Sequence, residues 1–381
     1  MFTEKYTEDN KEHRGFYART GRLKTRHGLL KTPFFMPVAT KAAQKHLSSA
    51  ELEESGTEAI ISNSFILSLK PGTDVIREAG GIHKYMDYHR GIFTDSGGFQ
   101  MLLSSFKPKV TEEGVTFNNP FDGQKLKYTP EKVMDVEQDI GSDVAMVLDH
   151  VLHHDQTHAH LKDAMERTYR WAKRAKEYHT DDKQLVFGIT QGGTHHDLRI
   201  ESARMTNSLD FDGIAIGGLC IGETQESMFS AIRASLPELD KSKPRYLMGV
   251  GTPIDIVKGV AHGIDVFDST FPAQNARHNT AFTSKGKVRI NKGQYRKDFE
   301  PLDEDCDCYV CKNFSKSYIH HLMRLEEPIG LRYMTYHNIH YMQHLMKDIR
   351  KSIQKGYFHE LQKEIEHLYS SDKEKTYRKI E

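Results

Sequence analysis

Residues 185–218 read "LVFGITQGGTHHDLRIESARMTNSLDFDGIAIGG". A short apolar run starts at Leu185 and ends at Gln191, beside two glycines. The segment from His195 to Ser208 then reads as a helix, and a second apolar run follows from Gly213. Strand, helix and strand in so short a span make one βα unit of a parallel sheet. Working outward, the same alternation recurs along the chain. Earlier runs are "PFFMPVAT" from Pro33, "EAIIS" from Glu58, "IFTD" from Ile92 and "VAMVLD" from Val144; later ones are "RYLMGV" from Arg245 and "GIDVFD" from Gly263. Further helical segments span Pro130 to Asp139, Thr157 to His179 and Thr224 to Leu236. Eight such units predict an α/β fold, a (β/α)8 TIM barrel. The alternative, an open doubly wound sheet, would favour a G-x-G-x-x-G fingerprint after its first strand, and none is present.

Two segments break the alternation. Residues 107–129, "KPKVTEEGVTFNNPFDGQKLKYT", carry Gly, Asn and Asp-Gly turn signals and predict hairpins inserted after strand three. The other begins near Gly286 and holds three of the four cysteines, as C-x-C-x-x-C at Cys306, Cys308 and Cys311. Clustered thiols in a chain long enough to bury its own core point to a metal rather than a disulfide framework. No signal peptide and no run of about 18 apolar residues is visible, so a cytoplasmic location and no membrane partner are expected.

Lys plus Arg equals Asp plus Glu, at 53 each, so net charge is silent about a polyanionic partner. Its distribution is not. Between Phe271 and Lys297 there are seven Lys or Arg residues and no Asp or Glu. Such a strip suits a phosphate backbone, or else is a solvated loop region. The lone tryptophan, Trp171, lies in the basic stretch "MERTYRWAKRAKEYH", read as a solvated outer helix of the barrel.

In a barrel the C-terminal ends of the strands form the active rim. Those ends supply Asp95, Asp149, Gln191, the Gly217–Gly218 pair and Asp268. Any one of these carboxylates could be a helix cap or a turn residue. Three at one mouth repel one another and lose water, which raises at least one pKa into the range useful for acid-base work. Two such groups could attack a sugar carbon and protonate its leaving group.

At "TDSGGFQ" (94–100) the sequence resembles the queuine/archaeosine tRNA-ribosyltransferase family, the tRNA-guanine transglycosylases. The resemblance continues, in family order, through "GITQGG" (188–193), "AIGGL" (215–219), "YLMGVG" (246–251), "GIDVFDS" (263–269) and "CDCYVC" with its later "HN" (306–338). It implies exchange of guanine at the anticodon wobble position of a tRNA for a 7-deazaguanine base. Asp268 would then be the nucleophile toward ribose C1′ and Asp95 the general acid-base. Asp149, Ser96, Gln191 and Gly218 would hydrogen-bond the base, and Phe99 and Met248 would flank its ring, although both also suit simple core filling. The resemblance adds His337 to the three cysteines as ligands of one structural zinc ion, with His340 as the local alternative. Arg277, Lys285, Lys287 and Arg289 would grip the tRNA. A homodimer is expected from the bacterial branch.

The implied organisation is a barrel over 1–285 and 338–370, a zinc-binding subdomain over 286–337 and a polar tail over 371–381. The eighth barrel helix would resume near Asn338.

Two departures from the family pattern matter. The usual Pro-Thr-Arg after the nucleophile is "PAQ", Pro272-Ala273-Gln274, which alters one expected RNA contact. Val151 replaces the cysteine usual in members that use the 7-aminomethyl precursor, and points to queuine. Ile221 and Glu223 pull the other way. His153 and His154 lie beside this wall or on the surface. A non-catalytic paralogue would be expected to lose the three aspartates. A carbohydrate-directed hydrolase would need neither the basic strip nor the zinc, and exchange on another nucleic acid stays open through "PAQ".

Overall fold

The computed structural model describes residues 1–7, 17–101 and 108–370. Eight parallel strands form its centre: β1 (Phe34–Pro37), β2 (Ala59–Asn63), β3 (Gly91–Asp95), β4 (Val144–Met146), β5 (Leu185–Thr190), β6 (Gly213–Ile216), β7 (Arg245–Leu247) and β8 (Val266–Ser269). They pair in sequence order from β2 to β8, and β8 pairs with β1. Just beyond β1, a parallel bridge between Val38 and Ile61 closes the ring. The Ala39 N–H also donates to the Ile61 carbonyl at 2.7 Å. This is the (β/α)8 barrel expected from the alternation.

The strands are short and almost wholly buried, because a parallel barrel sheet has side chains on one face and helices on the other. Inside, one ring comes from each odd-numbered strand: Phe34, Phe93, Phe187 and Tyr246. Phe93 lies 5.9, 5.7 and 6.2 Å from the other three centroids. Contribution by alternate strands is how a barrel interior fills in layers. Gly213 makes room for it. A Cβ there would lie 2.3 Å from the Phe187 ring, so any larger residue on β6 would displace that layer.

Four surrounding helices open on threonine caps. The hydroxyls of Thr129, Thr157, Thr224 and Thr252 accept from the backbone N–H three residues on, at 3.1 to 3.3 Å. Each cap is worth about 1 kcal/mol. The helices themselves run Pro130–Ile140, His158–Tyr178, Gln225–Ser235 and Pro253–Ala261. In His158–Tyr178 the Trp171 ring is fully buried, and Arg170 and Arg174 are paired with Glu112 and Glu131. Those two charges are committed to the neighbouring insertion and helix.

That insertion is a three-stranded antiparallel sheet, Lys109–Thr111, Gly114–Asn118 and Lys125–Tyr128. Its first expected residue, Lys107, lies outside the described residues. The sequence reading did not anticipate a second antiparallel sheet, Phe2–Thr7, Arg19–Thr25 and Gly28–Thr32, which covers the N-terminal end of the barrel. There Leu30 packs against Gly91 at the start of β3, and Arg19 is bonded to Asp265 just before β8.

After β8 come the helix Phe271–Arg277, the hairpin Thr280–Thr283/Gly286–Arg289 and short helices Tyr309–Asn313 and Lys316–Arg324. The long helix Pro328–Lys355 follows. It begins ten residues before the expected restart at Asn338 and carries His337 in its interior. Pro328 suits the first helical turn and Gly356, at φ 77°, closes the last, so nothing interrupts it at 337. Among the described residues no helix is long and apolar enough to cross a membrane. The tail 371–381 lies outside the described residues.

Candidate active site

Asp95 ends β3, Asp268 lies in β8, and Asp149 follows β4 by three residues. All three line one cavity of about 230 Å³ at the C-terminal ends of the strands. Ser96, Phe99, Val151, Gly218 and Met248 line it too. Gln191 is not on the wall but behind it, where its Nε2 donates to Asp149 Oδ2 at 2.6 Å. Gly218, with φ 65°, lies against it: a Cβ there would sit 2.2 Å from Gln191 Oε1. Gly98 is a second close approach. Its Cβ would lie 2.4 Å from Asp149 Oδ1, so only glycine lets the 94–100 turn close over that carboxylate.

Each carboxylate has its own donors. Asp95 Oδ1 accepts from Asn63 Nδ2 at 2.6 Å and from the Gly97 N–H at 2.9 Å. Asp268 Oδ1 accepts from the Tyr246 hydroxyl at 2.6 Å and the Gly249 N–H at 2.8 Å. In both, the partners converge on one oxygen and leave the other without a hydrogen bond to the described residues. Asn63, Tyr246 and Gly249 were missed in the sequence. Asn63 stands one residue past the quoted "EAIIS". Tyr246 lies two before Met248, on the same face of its strand, and period-two alternation would have found it.

Loss of water raises all three carboxyls. Asp95 reaches about 8: burial is the main cause, the Gly97 N–H partly offsets it, and the charges of Asp268 and Asp149 add to it. Asp149 reaches about 7, again through burial and against the Gln191 amide. Asp268 is also raised by burial, with Gly249 and Tyr246 holding it down. At neutral pH Asp95 therefore keeps its proton, beside two carboxyls that burial also raises and hydrogen bonds hold lower.

A stability effect follows from Asp95. Its folded pKa lies above its unfolded one, so ionisation penalises folding: not at all below about pH 4, increasingly from pH 4 to 8, and constantly above 8. Asp95→Asn keeps an acceptor for Asn63 and Gly97 and removes that charge. The variant is expected to be more stable than the parent at pH 8 and above, by on the order of a few kcal/mol at most, with the gap closing toward pH 4. Thermal melts across that range would show it; a gap independent of pH would refute the burial argument.

The basic strip is only partly free. Lys285 is paired with Glu304 at 2.6 Å, and Lys287 lies over the Phe271 and Phe282 rings, 5.6 and 5.7 Å from their centroids. Arg289 is exposed, and Arg277 is half-buried in the last turn of Phe271–Arg277. His153 and His154 lie close to Gly222, next to Ile221 on the cavity wall.

Apart from the cavity, Cys306, Cys308, Cys311 and His337 bring their ligand atoms within 4.8 Å of one another. The three sulfurs are 3.8, 3.6 and 3.3 Å from His337 Nδ1. A tetrahedron with ordinary zinc bond lengths has S···N edges of about 3.6 Å. His337 Nε2 donates to the Phe282 carbonyl at 2.8 Å, which leaves the Nδ1 lone pair facing the thiols. His340 instead bonds Asp307 at 2.9 Å. The donor set is compatible with a metal ion.

Fold and cavity together define a barrel enzyme with paired carboxylates at its mouth and a cysteine–histidine cluster after its last strand. Residues 14–371 match the family model described as queuine tRNA-ribosyltransferase. Proteins named queuine tRNA-ribosyltransferase are similar throughout. That of Ruminiclostridium cellulolyticum is 48% identical over 88% of this chain and 90% of its own length. Those of Francisella tularensis subsp. novicida and Caldanaerobacter subterraneus subsp. tengcongensis are 46% and 44% identical. They cover 91% and 94% of this chain, and 95% and 96% of their own lengths. The chain belongs to the queuine tRNA-ribosyltransferase family, the tRNA-guanine transglycosylases.

Proposed function

We propose that this protein replaces guanine at the wobble position of a tRNA anticodon with a 7-deazaguanine base, through an ester between Asp268 and ribose C1′. The observation that carries this reading is the meeting of two carboxylates in one cavity, each held through one oxygen and each with the other oxygen free of a hydrogen bond to the described residues. Two donors on Asp268 Oδ1 oppose the upward push of burial and leave Oδ2 for the sugar. Asp95, raised to about 8, retains a proton at neutral pH. In the first step the C1′–N9 bond breaks, the Asp268–C1′ bond forms, and Asp95 hands its proton to the departing guanine. In the second, the incoming base attacks C1′, its N9 proton returns to Asp95, and the ester is released. No external energy source or organic cofactor enters this scheme.

Asp149, with Ser96, Gln191 and Gly218, is assigned to the purine-like edge, where a carboxylate accepts from ring N–H and exocyclic amine and so rejects adenine. Phe99 and Met248 are assigned to the two faces of the ring, as an extruded base requires. Arg277, Lys285, Lys287 and Arg289 are assigned to the tRNA backbone. Lys285 must leave Glu304 to take part. Zinc is the metal proposed for Cys306, Cys308, Cys311 and His337. Three thiolates and an imidazole fill its tetrahedron, so its role is structural and no step passes through it. A homodimer would widen the surface offered to a tRNA.

Queuine is the favoured incoming base, on the strength of Val151 in the cavity wall. The competing reading, the aminomethyl precursor, draws on Ile221 and on Glu223, whose carboxylate holds the Cys220–Ile221 backbone. The test is release of labelled guanine from the wobble position when each base is offered separately. Faster release with queuine is expected, and Val151→Cys should shift the ratio toward the precursor by up to about tenfold. Failure of both bases to release label from bound tRNA would defeat the assignment and direct attention to another nucleic acid.

A further inference from the structure

The barrel end opposite the carboxylates opens into a second cavity, of about 610 Å³. At its base lies Arg245, the first residue of β7, only 5% exposed. Its side chain is almost unsatisfied. Among the described residues Nε has no hydrogen-bond partner, and the guanidinium makes one long contact of 3.5 Å, from Nη1 to the Gly263 carbonyl. The neighbouring Arg19 shows what a structural arginine looks like here. It holds Asp265 through two bonds of 3.0 and 2.6 Å, Glu4 at 3.2 Å and the Lys243 carbonyl at 2.8 Å. Asp265 is spent on Arg19 and on the backbone N–H of Arg245 at 2.8 Å, and Glu4, which also lines the cavity, is paired with Arg19.

A buried guanidinium so poorly paired is costly, and native structures supply what it lacks. Two more cations reach the same cavity, Arg233 and Lys241, and neither has an ion pair among the described residues. The C-terminal end of the helix Gln225–Ser235 takes up part of the Arg233 charge. Arg245 and Lys241 belong to no helix. The rest of the wall includes Tyr17, Leu236 and Pro237, an aromatic and apolar surface beside the charges.

We propose that this cavity binds a phosphate-bearing small molecule, with Arg245 as its buried anchor, Arg233 and Lys241 at its rim, and Tyr17 and Leu236 against its organic part. A guanidinium fork matches two phosphate oxygens, and a low-dielectric floor strengthens the contact. The site lies at the far end of the barrel from the base cavity, so it stands or falls apart from the reaction proposed above.

Calorimetry on the full chain with inorganic phosphate, ADP and adenosine tests it. Saturable binding of phosphate and ADP, but not adenosine, is expected. Arg245→Gln and the double variant Arg233→Ala/Lys241→Ala should each weaken ADP by about tenfold or more, the loss of at least one charge-assisted contact. Guanine exchange by the double variant should be unchanged. If Arg245→Gln does not fold, the double variant decides. The inference is overturned if wild type binds neither phosphate nor ADP, if adenosine binds as well as ADP, or if the double variant binds ADP like wild type.

Discussion

Asp268→Asn is expected to abolish guanine exchange, by at least about 10³-fold, while tRNA binding is retained. Asparagine can still accept from Tyr246 and Gly249, so the β7–β8 corner keeps its hydrogen bonds. What it loses is the anionic oxygen that would form the ester. The change removes bond-making and leaves recognition, so the loss belongs in the rate of label release and not in tRNA affinity. Trapping on a denaturing gel separates the possibilities. Wild type should carry tRNA covalently when guanine is removed, and the variant should carry none. An adduct that survives in Asp268→Asn would move the nucleophile elsewhere in the cavity.

The second large effect concerns the cysteine cluster. Cys308 and Cys311 are buried in one continuous core cluster with Val310 and Ile319. Cys311→Ser is therefore expected to eliminate bound zinc and to lower stability by several kcal/mol. Structural zinc sites in isolated fingers contribute about 10–16 kcal/mol of apparent binding energy. Elemental analysis should fall from one zinc per chain to a trace, with a matching drop in melting temperature. His340→Ala, which removes only a bond to Asp307, should keep the metal. Full zinc content in Cys311→Ser would exclude the tetrahedral assignment.

How much of this was legible beforehand depended on the kind of interaction. Parallel barrel strands are buried on both faces, so each shows as a short apolar run whatever its partners. All eight were readable for that reason, and their ends pointed to Asp95, Asp149 and Asp268. The donors that set the chemistry apart were not readable. Asn63 reaches Asp95 across a strand pair, and Tyr246 reaches Asp268 across another. Neither contact has a local sequence signal. The N-terminal sheet has no clear sequence signal because "FTEKYT" and "RTGRLKT" mix charged and apolar residues, and their burial comes from distant partners, the barrel end and the long helix Pro328–Lys355. Gln191 was read as a rim residue by its position, yet its amide is turned into Asp149. His337 is a ligand position in the interior of the long helix and not its boundary; Pro328 marks the first turn.

His337 and Asn338 are neighbours on that helix, and between them they hold both backbone groups of Phe282: its carbonyl accepts from His337 and its N–H donates to Asn338 Oδ1 at 3.0 Å. The Asn338 amide also donates to the Thr280 carbonyl and, at 3.0 Å, to that of Pro272. Pro272 stands between Asp268 and the unusual Ala273–Gln274 pair. Strand β8 is thus moored on its downstream side, just before Ala273 and Gln274. Under the function proposed above, substitutions beyond the mooring can alter which nucleotides are read without disturbing the aspartate behind it. Such a chain is free to drift in substrate preference while its chemistry stays at anchor.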